Sequence, residues 1–193
     1  MGLFQRIRSA LQPEDHQARH ELLNRLPKGK VGAEIGVWQG DFSAKILAAA
    51  EPNILHLVDP WLFSPQYPKR WYGGVIARNQ QDMDAIFNRV VKRFRKDPRV
   101  KVHRDRSVDF FAKFTDSLDW VYIDGDHSFE AVLNDLRSSW RCVSPAGIIC
   151  GDDLDWPDAD GTAPVMAALE TFTKEIQAVY STVGSQFLIQ KPH

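Results

Sequence analysis

The sequence predicts a single α/β domain built on a mostly parallel sheet with helices on both faces, and three observations carry that expectation. Short apolar, β-prone runs alternate with helical patterns along almost the whole chain. Within each helical pattern the apolar residues recur about three and four positions apart, which places them on one face. The last two strand candidates are separated only by Gly184-Ser185, the mark of a tight hairpin. Strands joined through helices need right-handed crossovers, so they run parallel and are buried on both faces. The hairpin then adds a reversed strand at one edge.

Taken in order, residues 1–28 read as accessory helices, with Leu22, Leu23 and Leu26 facing inward. Val31–Val37 is the first strand and turns through Gly36 and Gly40 into a helix near Asp41-Phe42-Ser43. Ile54–Asp59 is the second strand. Residues 60–82 are rich in aromatics and carry Gly73-Gly74; they form either a packed loop at the edge of the sheet or a lid over a bound molecule. Ile86, Phe87, Val90, Val91 and Phe94 stripe the next helix, and Val100–Arg104 is the third strand. Leu118–Asp124 is the fourth strand, followed by a helix with Phe129, Val132, Leu133, Leu136 and Trp140 on one face. Pro145-Ala146-Gly147 leads into the fifth strand, Ala146–Gly151. A helix striped by Val165, Ala168, Leu169, Phe172 and Ile176 precedes the closing strands Ala178–Val183 and Gln186–Gln190.

The 193 residues suit one domain with one sizeable core, spanning 1–193 without repeat or linker. A net charge of −1 argues against a general polyanion binder. Charge is uneven, however: Arg89 to Arg106 is basic and Asp116 to Asp160 is acidic. The basic run reads first as a solvated face. The two cysteines, Cys142 and Cys150, make no CxxC or disulfide framework, which suits a reducing compartment, and Cys150 reads as a core residue. The N-terminus lacks a signal-peptide core and a myristoylation pattern, and no apolar stretch is long enough to span a membrane. A cytoplasmic location is expected.

In open α/β sheets ligands bind beyond the carboxyl ends of the strands, and this chain concentrates acids there. Glu34 is a carboxylate inside an apolar strand, which calls for a positive or donor-rich partner. Asp59 ends the second strand; it either starts an Asp-Pro turn or accepts both hydroxyls of a ribose. Arg104-Asp105-Arg106-Ser107 follows the third strand, positioned to edge an adenine. Asp124 closes the fourth strand in Ile123-Asp124-Gly125-Asp126-His127-Ser128, and Asp152-Asp153 close the fifth. Neighbouring strands lie ~4.8 Å apart, so Asp124, Asp152 and Asp153 can converge. Converging carboxylates repel, and a hard divalent cation such as Mg2+ resolves that. Capping of the following helices is the alternative use of the same aspartates.

Together these pieces resemble the class I S-adenosylmethionine-dependent methyltransferases, and most of all the small metal-dependent O-methyltransferases that act on sugars and macrolides. The matching pieces run in family order: Glu34-Ile35-Gly36-Val37-Trp38-Gln39-Gly40, Leu57-Val58-Asp59-Pro60, Tyr122 to Ser128, and Gly151-Asp152-Asp153. The resemblance implies a Rossmann-like sheet of seven strands, with Glu34, Gly36 and Gly40 at the methionine end of S-adenosylmethionine. It implies ribose at Asp59, adenine near Arg106 and Ser107, cofactor contact from Asp124, and a metal on Asp124, Asp152 and Asp153. Asp126 or His127 would be the base; His127 titrates near neutral pH, whereas Asp126 needs a raised pKa. The implied partner is a small hydroxylated acceptor, recognised by the 60–82 loop, the N-terminal helices, Asp155–Asp160 or a second subunit of a homo-oligomer. Nucleic acid is disfavoured, because base methylation has no need of three metal carboxylates. Cephalosporin hydroxylase-like proteins look similar too, so a hydroxylase or a non-catalytic cofactor-binding protein are the alternatives.

Overall fold

A computed structural model describes residues 13–157 and 161–193. Seven strands form one sheet: β1 Val31–Ile35, β2 Ile54–Val58, β3 Val100–His103, β4 Leu118–Ile123, β5 Val143–Gly151, β6 Tyr180–Val183 and β7 Gln186–Gln190, in the order β3-β2-β1-β4-β5-β7-β6. Among the described residues six α-helices accompany them: α1 Pro13–Asn24, α2 Asp41–Ala49, α3 Gln80–Phe94, α4 Ser107–Lys113, α5 Phe129–Cys142 and α6 Pro164–Glu175. Of the accessory helices expected in residues 1–28, α1 is seen; residues 1–12 lie outside the described residues.

Strands β1 to β5 pair in parallel, as the alternation with helices requires. The hairpin does close the sheet, but its reversed strand is not the outermost one. β7 pairs antiparallel with both β5 and β6, so β6 takes the edge and runs in the direction of the parallel strands. The physical reason is the two-residue turn: Gly184, at φ +56°, folds β6 back directly against β7, and only β7 carries the apolar pair Phe187 and Ile189 for the interior. β5 begins three residues earlier than expected, at Val143, because α5 passes straight into it.

The sheet separates two apolar clusters, one on each face. α4, α5 and α6 cover one through Phe110, Leu133, Leu136, Leu169 and Phe172. On the other face α1, α2 and α3 bring Leu22, Leu23, Ile46, Met83, Ile86 and Val90 against Leu55, Leu57, Trp120 and Tyr122. Fully burying each such side chain stabilises by ~1.5–3 kcal/mol. Leu22, Leu23 and Leu26 thus seat α1 firmly on the body, which matters for the residue one turn before them.

Parallel registers align the strand ends into one row. Ile35 pairs with Val58 and with Ile123, and Ile123 pairs with Gly151. The next residues along, Asp59, Gly36, Asp124 and Asp152, therefore stand side by side at the carboxyl edge of β2, β1, β4 and β5.

Candidate active site

On the β1–β2 side of that row the acids are met by local donors. Glu34 is buried and accepts a 2.5 Å hydrogen bond from Ser43 Oγ of α2. Burial holds its carboxyl well above the ordinary range, and the Ser43 bond offsets only part of this. Asp59 organises the turn after β1: its Oδ2 accepts the amides of Val37 and Trp38 at 3.1 and 2.9 Å, and its Oδ1 accepts that of Trp61 at 2.7 Å. Burial still raises its pKa, against those three amides. Gly36 adopts φ +91°, and a Cβ there would lie 2.0 Å from the carbonyl oxygen of Asp124. Glycine is required here because two strand ends meet with no room for a side chain.

On the β4–β5 side the acids crowd. One donor atom each from Asp124, His127 and Asp153 lie within 4.8 Å of one another. His127 Nε2 stands 3.1 Å from Asp153 Oδ2 and 3.5 Å from Asp124 Oδ1, yet it is buried and forms no hydrogen bond of ordinary geometry among the described residues. Burial pulls the imidazole pKa down, but Asp124 and Asp153 outweigh it and raise it. Burial, with repulsion from Asp124, pushes Asp153 up to about 7. Its backbone is left-handed at φ +63°, a conformation that Asp tolerates better than most residues.

Asp152 is committed differently. Its Oδ1 accepts from Ser185 Oγ at 2.7 Å, from the Asp153 amide at 2.7 Å and from Gln186 Nε2. Gln186, itself buried, accepts from Tyr122 Oη at 2.6 Å. Asp152 Oδ2 is in close contact with the guanidinium of Arg19, which also approaches Asp124 Oδ2 at 3.9 Å. Arg19 lies over the Phe42 ring at 5.3 Å. Sequence reasoning missed Arg19, although a signal existed: Arg19, Leu22, Leu23 and Leu26 continue one inward face at i, i+3, i+4 and i+7.

The donor set suits a divalent cation. It offers hard carboxylate oxygens, an unsatisfied buried imidazole nitrogen and an excess of negative charge that has already drawn in one cation, Arg19. The structure brings together Asp124, His127 and Asp153, and it places Asp152 next to them with one oxygen on Arg19. Asp126 is exposed and its Oδ1 accepts the Ser128 amide at 2.9 Å, so it shapes its own turn. Ser107 starts α4, and its hydroxyl is bonded to the buried Asp135 of α5; Arg106 is exposed.

Residues 60–79 lie over this edge. Trp61 is fully buried and donates Nε1 to the Trp38 carbonyl at 2.8 Å, while Trp71 stands 5.9 Å from Trp38. Arg70 covers the Trp156 ring at 5.0 Å, and Trp156 packs 4.9 Å from His127. Leu62, Tyr67 and Trp71 of this segment remain exposed. The basic run is partly neutralised, through Arg93 with Asp41, Arg99 with Asp97 and Arg104 with Asp84. Cys150 is buried in the sheet, as its apolar surroundings in sequence imply. No helix among the described residues is long and apolar enough to cross a membrane.

No curated protein is significantly similar in sequence. Among solved structures the chain is similar to the N-methyltransferase NodS of Bradyrhizobium japonicum WM9, with TM-score 0.61, 14% identity, 94% of this chain and 98% of that chain covered. It is similar to a putative rRNA-methylase of Clostridium thermocellum, with TM-score 0.64, 10% identity and 94% and 97% covered. It also resembles TomG, an O-methyltransferase of Streptomyces achromogenes involved in tomaymycin synthesis, with TM-score 0.60, 14% identity and 92% and 80% covered. At these identities the likeness is one of fold. A family model described as a methyltransferase domain matches residues 33–154, more than half of the chain and the whole row of strand-end acids; the chain belongs to that methyltransferase domain family.

Proposed function

We propose that this protein transfers the methyl group of S-adenosylmethionine to an oxygen of a small hydroxylated acceptor, a sugar or natural product, with a divalent cation, Mg2+, assisting. The observation that carries this reading is the crowding of Asp124, Asp152, Asp153 and His127 beside the buried Glu34, at adjoining strand ends. NodS, as its name says, methylates nitrogen, and TomG oxygen; the acidic cluster is what favours oxygen here. An alkylammonium loses its proton near pH ~10 to leave a good nucleophile, whereas an alcohol hydroxyl is far less acidic and needs more help to give up its proton.

When bound, the cofactor supplies an activated methyl group and the cation lowers the pKa of the acceptor hydroxyl. Glu34 and the turn from Gly36 to Gly40 receive the methionine end, Glu34 offering a carboxylate to the amino group. Asp59 takes a ribose hydroxyl on the Oδ1 lone pair that its three amides leave free. Arg106 and Ser107 flank the adenine, and Asp124 serves both cofactor and cation. Asp124, Asp152 and Asp153 hold the cation. His127, aimed into the cluster while Asp126 faces solvent, receives the acceptor's proton. The loop with Trp71 and Arg70 excludes water and orients the acceptor for in-line attack.

The test is transfer of labelled methyl from S-adenosylmethionine to a library of hydroxylated small molecules, with and without EDTA. Turnover should fall by ~10²-fold or more with EDTA and in Asp153→Ala, while cofactor binding by calorimetry persists. Full turnover under both conditions removes the cation from the reading, and oxygen consumption in place of methyl transfer would identify the hydroxylase alternative.

A further inference from the structure

We infer that Arg19 is an internal competitor of the divalent cation: its guanidinium holds the coordination place of Asp152, and cation binding displaces it and loosens α1. This rests on the proposed cation site and assigns a residue that governs access to it.

The argument begins with the lone pairs of Asp152. Three hydrogen bonds, from Ser185, Gln186 and the Asp153 amide, converge on Oδ1. They fix the carboxylate plane and leave Oδ2 as the oxygen available to a further cation. Arg19 is on that oxygen. An ion that takes Asp152 as a ligand must therefore share or replace the guanidinium, and two positive charges a few ångströms apart in a partly desolvated cleft repel strongly. The same guanidinium is 3.9 Å from Asp124 Oδ2, so it spans both sides of the place where strand-end carboxylates from β4 and β5 face each other.

Arg19 reaches the cleft from α1, outside the region matched by the methyltransferase domain. Its helix is anchored by Leu22, Leu23 and Leu26 but makes few other contacts with the sheet, chiefly with α2, β6 and β7. Midway along α1, next to the buried Ala18, the favourable ion pair with Asp152 is then part of what holds the first turns of the helix down. Linkage follows: whatever binds Asp152 in place of Arg19 weakens the docking of α1, and whatever removes Arg19 strengthens cation binding. Because Arg19 lies over the Phe42 ring beside Glu34 and Ser43, its release would also uncover the side of the proposed methionine end.

Mn2+ serves as the probe, with free Mn2+ read by electron paramagnetic resonance during titration of the full chain without cofactor. R19Q should bind Mn2+ at least ~10-fold tighter than the wild type, and R19K, which presents a point charge where the planar fork fitted, should fall between. R70Q removes the same charge from the rim without touching a carboxylate and should change affinity less than ~3-fold. Hydrogen exchange supplies the second readout. Amides of Pro13–Asn24 should exchange faster in the wild type when Mn2+ is added, and R19Q should show no such metal dependence. Equal or weaker binding by R19Q, or an α1 whose exchange ignores Mn2+, overturns the inference while leaving the cation site standing. Absence of Mn2+ binding in every variant overturns both this inference and the metal part of the proposed function. If R19Q does not fold, R19K carries the comparison, and affinity equal to wild type then counts against competition.

Discussion

Glu34 and Asp59 on the β1–β2 side of the strand-end row are buried carboxylates whose hydrogen bonds come from their own neighbourhood, a serine of the next helix and three amides of the adjoining turns. On the β4–β5 side Asp152 depends on groups from far along the chain, Arg19 from α1 and Ser185 and Gln186 from the final hairpin, while Asp124 and Asp153 face His127 of the turn after β4. One half of the row is organised by backbone geometry, and the other by charge. The first therefore has its hydrogen bonds in place before any ligand arrives. The second is short of positive charge and is the half whose energy a bound cation would change most.

The contrast is broken most severely by Asp59→Ala. Three backbone N–H groups, of Val37, Trp38 and Trp61, lose their acceptor in a buried turn where two of the residues already sit at positive φ. Each unsatisfied donor costs on the order of 1 kcal/mol or more, so we expect a loss of about 2–4 kcal/mol and a melting temperature lower by roughly 5–15 °C. Thermal denaturation measures it, and an unchanged midpoint would show that the turn does not rely on the carboxylate.

The opposite sign is expected across the row. Asp153→Asn removes one charge from a cluster in excess of negative charge, and asparagine adopts the left-handed backbone as readily as aspartate. Without added metal it should raise stability by about 1–2 kcal/mol at pH 8, because the Asp153 carboxyl, pushed up to about 7 by burial and Asp124, is ionised there against its surroundings. Near pH 5, where the native carboxyl keeps its proton, the advantage should shrink. A destabilised Asp153→Asn at pH 8 would mean that His127 already balances the cluster.

The same division explains what could be read from sequence. Strand periodicity and the Gly184-Ser185 turn placed all seven strands to within a few residues, and the acids at strand ends followed because parallel register turns sequence position directly into adjacency. Asp124 and Asp152 needed nothing more to be set side by side. Arg19 was illegible by that route, since no register links a helix ahead of the sheet to the ends of β4 and β5. Its one mark was an arginine on the inward stripe of Leu22, Leu23 and Leu26, and long basic side chains on such faces usually lie flat and keep their heads in water. The order of β6 and β7 was hidden for a different reason: both orders satisfy the hairpin, and only the apolar pair Phe187 and Ile189 decides which strand goes inside.

A smaller effect lies away from the row, where Asp135 of α5 is buried with Ser107 as its hydrogen-bonding partner and its pKa is pushed up to about 7, chiefly by burial. This raised carboxyl resembles the β4–β5 acids in sign, with the Ser107 hydroxyl lowering it and repulsion from Asp126 adding to the effect of burial. On unfolding the carboxyl returns to its ordinary value and gives its proton to solvent, so between about pH 4 and pH 7 the native state binds more protons and stability falls as pH rises. Asp135→Asn mimics the protonated form and should therefore be neutral near pH 5 and gain about 1 kcal/mol, or a few °C in melting temperature, at pH 8. If the variant instead loses stability as pH rises, Asp135 is held ionised by Ser107, and it belongs with Asp59 among the acids that the fold itself satisfies. The sign of that pH slope thus assigns Asp135 to one of the two ways in which this sheet edge accommodates buried charge.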